Sequence, residues 1–393
     1  YPDAAVAARV IDVARRAAPR PDPRRPRVAV VGGGIFGAAC ALELAETCDV
    51  TVFERHARLM TEVSFLNQWR HHSGFHYPRS YDTIQEIKAA KGTFEAEYEQ
   101  AIVRAYPSYF CTSATGVEIP AERYLAACQG NNLNFSIKAP PADVLDHSQV
   151  SICLRSDEAV YDYYELRALD AHRLAAPPDL AVSLSTHAVD AEITEDGSKR
   201  LRLQPAGGQI ATRTFDYLIN ATYSNLNLVA KWFGFPVEPL RFDLYELLVL
   251  RLKIPQICVT IMDGPFTSLV GMGGDDLFML SHIHDSVLQS VITEDGLPPR
   301  WTNVRSNREN MLRHASRYLP VLKQAEVVES RYATRAVNAY ARDFDARPTV
   351  VRSHGFGVWS VLGGKVLTCV TNAREIAGEI LAEREDLALR STG

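Results

Sequence analysis

A glycine turn between a buried strand and a helix constrains the fold of this chain more than any other feature. Residues 27–31 form a short apolar run, and 35–46 have helical composition. The turn between them reads Gly32-x-Gly34-x-x-Gly37. A second apolar strand, 49–54, ends at Glu54, about 20 positions after the first glycine. Strand, glycine turn, helix and strand open a βαβ unit, so the sequence predicts an α/β fold with a Rossmann-like domain.

Each residue of this motif has a mechanical role in binding a dinucleotide. Gly32 permits the tight turn, Gly34 lets the backbone approach a pyrophosphate, and Gly37 lets helix and strand pack closely. The pyrophosphate would lie at the helix N-terminus, where free N–H groups favour negative charge. Glu54 is placed to accept hydrogen bonds from a ribose, and an acid there disfavours the 2′-phosphate of NADP. The motif alone leaves NAD and FAD open.

Charge and composition narrow the classes of partner. The 393 residues carry a net charge of −5, which gives no electrostatic reason to expect nucleic acid or an anionic membrane. The longest uncharged apolar run, 28–42, is short and glycine-rich, and residues 1–26 lack the apolar core of a signal peptide. Seven cysteines without a CxxC pair indicate reduced, buried thiols. We therefore expect a cytoplasmic protein without a membrane span.

The rest of the chain predicts a second, different sheet. Residues 1–26 look like an appendage, a short helix over 4–18 followed by a proline-rich linker. The β-rich runs 245–252 and 256–262 indicate an antiparallel sheet distinct from the nucleotide fold. Residues 303–319 have helical composition and end at a proline.

A second glycine-rich segment lies near the C-terminus. Residues 355–364 precede a predicted helix over 371–385, and the two form a second backbone-amide cradle at a helix start. A glycine-rich turn that merely packs on the first βαβ unit is the alternative interpretation.

Four blocks of this sequence resemble the D-amino-acid oxidase superfamily of FAD enzymes, which includes glycine oxidase, glycerol-3-phosphate dehydrogenase and L-2-hydroxyglutarate dehydrogenase. The first is the glycine turn with Glu54. The others are the Asn…His-Ser-Gly stretch at 67–80, the strand ending in Asn-Ala-Thr at 216–222, and Gly-Gly-Lys-x-x-Thr at 363–368. The resemblance implies FAD as cofactor and a fold of two domains, a Rossmann-like FAD-binding domain and a substrate domain built on an antiparallel sheet.

The resemblance also implies boundaries and cofactor contacts. The FAD-binding domain would be assembled from 27–80, 151–235 and 326–393, and the substrate domain from 81–150 and 236–325. The residues implied to contact FAD are Gly32, Gly34, Ile35, Phe36, Gly37, Glu54, Arg55, Asn67, Ala221, Thr222, Gly363, Gly364, Lys365 and Val366.

Three residues are candidates for the reaction itself. The resemblance places Arg335 where the amino-acid oxidases bind the substrate carboxylate, although Ala336 stands where that family usually has proline. A guanidinium is planar, permanently charged and bidentate toward a carboxylate, but a structural ion pair is the competing interpretation. His72 and His76 are candidate bases or flavin contacts because imidazole titrates near neutrality.

Histidine clusters also allow a metal interpretation, which we do not favour. His71, His72 and His76 have no acidic residue among them in the sequence, and the flavin blocks account for them better, so we predict no metal site. His282 and His284 would share one strand face, and we expect them on the sheet surface.

The leading hypothesis is an FAD-dependent oxidoreductase that takes a hydride from a CH–OH or CH–NH centre of a small polar substrate, one bearing a carboxylate or another anionic group. An alcohol additionally needs a base near its proton, whereas a neutral amine does not. A single-component flavin hydroxylase of aromatic substrates and a non-catalytic dinucleotide-binding protein are the alternatives.

Overall fold

The structure is a computed structural model that describes residues 25–262, 266–274, 276–340 and 348–391, the last six of them by their backbone alone. The predicted helix over 4–18 lies outside these residues. Helices α1 to α7 of the described part are Ile35–Leu44, Tyr81–Tyr98, Ala121–Gly130, Tyr163–Ala175, Leu226–Trp232, Arg308–Ala315 and Cys369–Ser391.

The strands come singly and in consecutive runs between these helices. Strands β1 to β9 are Arg27–Val31, Asp49–Phe53, Arg70–His71, Ile102–Val103, Ser108–Ser113, Phe135–Ile137, Val150–Ser156, Ala159–Tyr161 and Leu180–Ser183. Strands β10 to β15 are Thr186–Ile193, Lys199–Pro205, Ala211–Phe215, Tyr217–Asn220, Leu240–Arg251 and Cys258–Met262. Strands β16 to β21 are Thr267–Gly271, Leu277–His282, Val287–Ile292, Glu326–Asn338, Val350–Ser353 and Val358–Leu362.

A six-stranded sheet forms the Rossmann-like half, in the order β20-β21-β13-β1-β2-β9. All neighbours pair in parallel except β20, which is antiparallel to β21. Every residue of β1 after Arg27 is buried, as expected for a parallel strand covered on both faces. Helices α1 and α7 pack together on one face, and the antiparallel sheet β10-β11-β12 covers the other. The predicted Rossmann-like domain is confirmed.

The other half is a nine-stranded, mostly antiparallel sheet in the order β18-β14-β17-β16-β15-β5-β7-β6, with β19 paired along the free side of β14. The long strand β14 lies next to the edge strand β19 and pairs with three neighbours. This sheet confirms the predicted antiparallel part of the fold. A small sheet, β3-β8-β4, contains the start of the histidine-rich segment.

The exact domain boundaries stay a prediction. Strand β19 and residues 151–156 of β7 belong to the nine-stranded sheet, although the predicted boundaries assign them to the FAD-binding domain. The helix predicted over 303–319 is wrong at both ends, since α6 spans only eight residues. Asn303 has a φ of 54°, which a right-handed helix does not contain, and the Asn307 N–H donates to the Glu246 carboxylate at 2.8 Å.

Two further predictions concern the cysteines and membrane-spanning helices. All seven cysteines are buried and none forms a disulfide, as predicted. Among the helices of the described ranges, none combines the length and the apolar character that crossing a bilayer requires. The cytoplasmic location stays a prediction.

Candidate functional site

One large cavity, of about 830 Å³, is lined by residues from both large sheets. Every predicted cofactor-contact residue except Gly37 lies on its wall, and so do His72, His76 and Arg335. Segments from four distant parts of the sequence thus meet at one site, because the carboxyl ends of β1, β2 and β13 face the same side of the parallel sheet.

The glycine turn after β1 has the geometry that the sequence predicts. Gly32 has a φ of +106°, and a Cβ there would lie 2.6 Å from the Ala221 carbonyl oxygen. A Cβ on Gly37 would lie 1.9 Å from the Gly32 carbonyl oxygen, so Gly37 serves the packing of α1 on the turn and not the cavity wall. Gly34 has an ordinary φ of −75° and faces the cavity. A side chain at Gly34 would therefore occupy ligand space.

The neighbourhood of this turn fits FAD. Helix α1 receives no cap from its N-cap residue Gly34, and its first N–H, that of Ile35, donates to Ser64 Oγ at 3.1 Å. The helix N-terminus borders the cavity, where the positive end of the helix dipole would favour a pyrophosphate. Glu54 is buried at the end of β2, and its two carboxylate oxygens accept hydrogen bonds from the N–H groups of Gly33 and His56, each at 2.8 Å. These contacts hold the carboxylate at the cavity wall, where it retains lone pairs for a ribose.

Two predicted cofactor residues are already engaged within the protein. Asn67 donates to the Val63 and Ser64 carbonyl oxygens and accepts from Trp69 N–H and the Tyr161 hydroxyl. Its side chain therefore orders the loop that borders the cavity. Arg55 pairs with Glu62 at 2.7 Å.

The C-terminal glycine segment divides into two parts. Gly355 and Gly357 have positive φ values and lie in the turn between β20 and β21, away from the cavity lining. Residues 363–366 line the cavity, and the ammonium of the buried Lys365 lies 4.4 Å from the Tyr77 ring centroid. Only the second part of the predicted backbone cradle thus reaches the site.

His72 and His76 converge on a buried carboxylate that sequence reasoning missed. Glu158 Oε1 lies 3.6 Å from His72 Nδ1 and 3.7 Å from His76 Nδ1, and the imidazole rings are 4.9 Å apart. Glu158 has a fully buried side chain that accepts hydrogen bonds from Arg70 Nη1 at 3.2 Å and from Ser73 N–H at 3.0 Å. A cluster of two imidazoles over one buried carboxylate can move a proton.

Burial and charge set the protonation of this cluster. Burial would raise the pKa of Glu158, but the two histidines and Arg70 hold that pKa well below its ordinary value. Burial lowers the pKa of His72, which Glu158 partly opposes, and burial with the Arg70 charge lowers the pKa of His76 further. The carboxylate is therefore ionised near pH 7, and both imidazoles are neutral proton acceptors.

Arg335 reaches the cavity from β19. It lies directly opposite Asp243 of β14 in the antiparallel pair, yet the closest approach of its guanidinium to that carboxylate is 3.9 Å. The guanidinium carbon lies 4.2 Å from the Tyr245 ring centroid, and the buried Nε has no hydrogen-bond partner. Asp243 instead pairs with Arg241 at 3.1 Å and accepts from the Ser290 hydroxyl at 2.7 Å.

The expectation for His282 and His284 is wrong for one of the two. His282 ends β17 and is buried, while His284 is exposed in the following turn, so they do not share a strand face. His282 and His314 both place Nδ1 within 2.9 Å of one Asp285 carboxylate oxygen. This trio and the trio of His72, His76 and Glu158 each bring potential metal-ligand atoms within 4.8 Å of one another.

Comparison with known proteins gives matches to one family of FAD-dependent enzymes and to oxidases of similar fold. The family model of FAD-dependent oxidoreductases called DAO matches residues 27–378. An FAD-dependent monooxygenase, FPY4 from Fusarium mangiferae, is 25% identical over 358 residues, 86% of this chain and 87% of that protein. Glycine oxidase from Geobacillus kaustophilus superimposes with a TM-score of 0.70 at 15% identity, covering 92% of this chain and 95% of that chain. FAD-bound L-α-glycerophosphate oxidase from Mycoplasma pneumoniae has a TM-score of 0.70 at 16% identity, with 91% and 95% covered.

Proposed function

Because this chain belongs to the DAO family of FAD-dependent oxidoreductases, we propose that it oxidises a CH–OH or CH–NH centre in a small substrate whose anionic group binds Arg335. The chain is an enzyme and its cofactor is FAD. The alternative of a non-catalytic dinucleotide-binding protein is therefore wrong.

The state of Arg335 supports the anionic substrate most directly. Its guanidinium stacks on Tyr245 inside the same cavity as the glycine turn, its Nε has no partner, and Asp243 is 3.9 Å away. A carboxylate or phosphate would provide the bidentate acceptor that a guanidinium prefers. A purely structural arginine would instead make the close ion pair that Arg241 makes with Asp243.

We assign the cofactor to the wall that carries the glycine turn. FAD, which supplies a two-electron acceptor when bound, would be held by Gly32, 34–36, Glu54, Ala221 and 363–366. Arg335, which reaches the same cavity from β19, would orient the substrate. Phe266, whose ring lies 5.5 Å from that of His76, and Met262 on the cavity wall would limit water at the reacting carbon.

Detection of a carbonyl product tests this proposal. The holoenzyme would be incubated with an artificial electron acceptor and a panel of amino acids, 2-hydroxy acids and sugar alcohols, and 2-oxo acids and aldehydes would be trapped as hydrazones. We expect product from anionic members of the panel. A panel in which only uncharged donors react would overturn the assignment of Arg335.

A monooxygenase is the second candidate, favoured by the name of the 25% identical relative and by its coverage of most of this chain. Such an enzyme would consume oxygen and a reduced nicotinamide cofactor together and would place one oxygen atom in its product. Labelled oxygen distinguishes the two, since dehydrogenation of an amine or alcohol incorporates none from O₂.

A further inference from the structure

The buried carboxylate of Glu158, close to both His72 and His76, suggests a role for this residue in catalysis, and this inference rests on the proposed function. We propose that Glu158 is a positioning residue that fixes the Nδ1–H tautomer of His72, leaving Nε2 to take the hydroxyl proton of an alcohol. The substrate class would then be a hydroxy compound bearing an anionic group, and not an amine.

The chemistry of the Glu158 carboxylate determines which nitrogen of each imidazole is protonated. An ionised carboxylate only accepts, and its Oε1 faces the Nδ1 atoms of both imidazoles. Both Nδ1 atoms are buried and neither makes a hydrogen bond, so the carboxylate 3.6 to 3.7 Å away is the charge that faces them. The charge favours a proton on each of these nitrogens, which leaves the lone pair on Nε2 at the far side of the ring.

Hydrogen bonds fix the Glu158 carboxylate in its position. Arg70 holds Oε1, and the backbone N–H of Ser73, the residue after His72, holds Oε2. Arg70 is itself held by Thr260 at 2.6 Å and by Ser268. The carboxylate therefore cannot rotate away, as a group that orients a base requires.

His72 is better placed than His76 to receive the proton. Its side chain is 16% exposed toward the cavity, against 9% for His76, whose ring packs against Phe110 and Phe266. His76 would remain a neutral wall residue beside it.

The proton transfer balances with the oxidation. The O–H and C–H bonds of the alcohol break and a C=O bond forms. The hydroxyl proton goes to His72 Nε2, and the hydrogen of the C–H bond leaves with its electron pair to FAD, the oxidant of this family. Glu158 stabilises the imidazolium that results. A neutral amine needs no such base.

The test combines Glu158→Gln with nitrogen NMR of histidine. A carboxamide can donate to Nδ1 as well as accept, so it no longer imposes one tautomer. In 15N-histidine-labelled holoenzyme we expect His72, assigned by loss of its signals in His72→Gln, to show the Nδ1–H pattern, and Glu158→Gln to lose it. Glu95→Gln is the matched control, since Glu95 lies 3.4 Å from His71 outside the cavity lining. A retained Nδ1–H pattern in Glu158→Gln overturns the role of Glu158.

Rapid kinetics supplies the second readout. Flavin reduction would be followed with lactate and alanine, and with malate and aspartate, as matched hydroxy and amino acids. We expect the hydroxy acids to react and Glu158→Gln to slow them about 10²- to 10⁴-fold at saturation with little change in apparent Kd. Glu158→Asp, which keeps the carboxylate, should recover part of the rate and serves if the glutamine variant does not fold.

The pH profile separates a positioned base from a structural residue. Glu158 raises the pKa of His72, whereas burial, Lys365 and Arg70 lower it. Loss of the carboxylate should therefore move the acidic limb of the reduction rate to lower pH. If only the amino acids reduce FAD, the proposed function stands and the inference about hydroxyl substrates is overturned. If neither class does, the proposed function itself fails, and the NMR result alone decides the role of Glu158.

Discussion

Replacement of Arg335 by methionine removes a guanidinium from the cavity and keeps a long, flexible side chain on β19. Asp243 is buried but stays paired with Arg241 and Ser290 in the variant, so we expect the fold to survive the change. The substitution should instead weaken the binding of anionic ligands in the cavity.

The magnitude follows from the contacts of Arg335. A hydrogen bond to a charged group contributes about 1.5 to 3 kcal/mol, and two unit charges 4 Å apart near a protein surface attract by about 4 kcal/mol. Asp243, at 3.9 Å, offsets part of that attraction. We therefore expect a loss of about 2 to 3 kcal/mol in binding, which is about 30- to 150-fold in Kd.

The assay is a spectral titration of the bound FAD with methoxyacetate, a carboxylate without an oxidisable hydroxyl or amine, and with its neutral amide. Arg251→Met is the control, because Arg251 is half-exposed on β14, lies 3.9 Å from Glu326 and does not line the cavity. Arg335→Met should weaken methoxyacetate alone. Equal Kd values for methoxyacetate in the wild type and in Arg335→Met would refute the anion-binding role.

Three further substitutions test other parts of the structure. Gly34→Val should abolish FAD retention while the melting temperature of the apoprotein stays near the wild-type value, because, among the described residues, a Cβ there meets only the Ser64 hydroxyl, at 3.2 Å. A yellow variant would contradict this. Gly37→Ala should instead destabilise the apoprotein itself by about 1 to 3 kcal/mol, because its Cβ meets backbone at 1.9 Å, and an unchanged urea midpoint would contradict this. Asp285→Ala should cost about 1 to 3 kcal/mol in urea unfolding, since buried His282 loses its carboxylate partner, and the expectation fails if the unfolding curve does not move.

The local parts of the fold could be predicted because their signals are local. The strand, glycine turn, helix and strand of 27–53 lie within one short stretch. Gly32 and Gly37 meet backbone requirements that only glycine satisfies, whereas Gly34 leaves space at the cavity wall. The helix over 303–319 failed for a long-range reason. Glu246, in the distant β14, binds the Ser306 hydroxyl and the Asn307 N–H and thereby fixes the segment before α6 in another conformation.

The site could be predicted only where its residues carry a motif. Glu158 follows β7 without any pattern around it, and it reaches His72 because β3 and β8 pair with Arg70 opposite Val160 and His71 opposite Ala159. Continued by one residue, this antiparallel register brings Glu158 beside His72. No feature of the sequence predicts the pairing of two such short strands.

The domain to which β19 belongs could not be predicted from the sequence either. β19 carries Arg335 into the nine-stranded sheet because it pairs with β14 along its whole length. The position of Asp243 opposite Arg335 is a consequence of that register, and composition does not reveal it.

Anaerobic reduction of the bound FAD tests the central claim most directly. The holoenzyme would be mixed under argon with the panel of anionic hydroxy and amino acids, and separately with NADH and NADPH, while the visible flavin band is recorded. The account predicts that at least one anionic donor bleaches the band completely in a single turnover and that the nicotinamides do not. Bleaching by NADH or NADPH alone, with no reaction of any anionic donor, would contradict it.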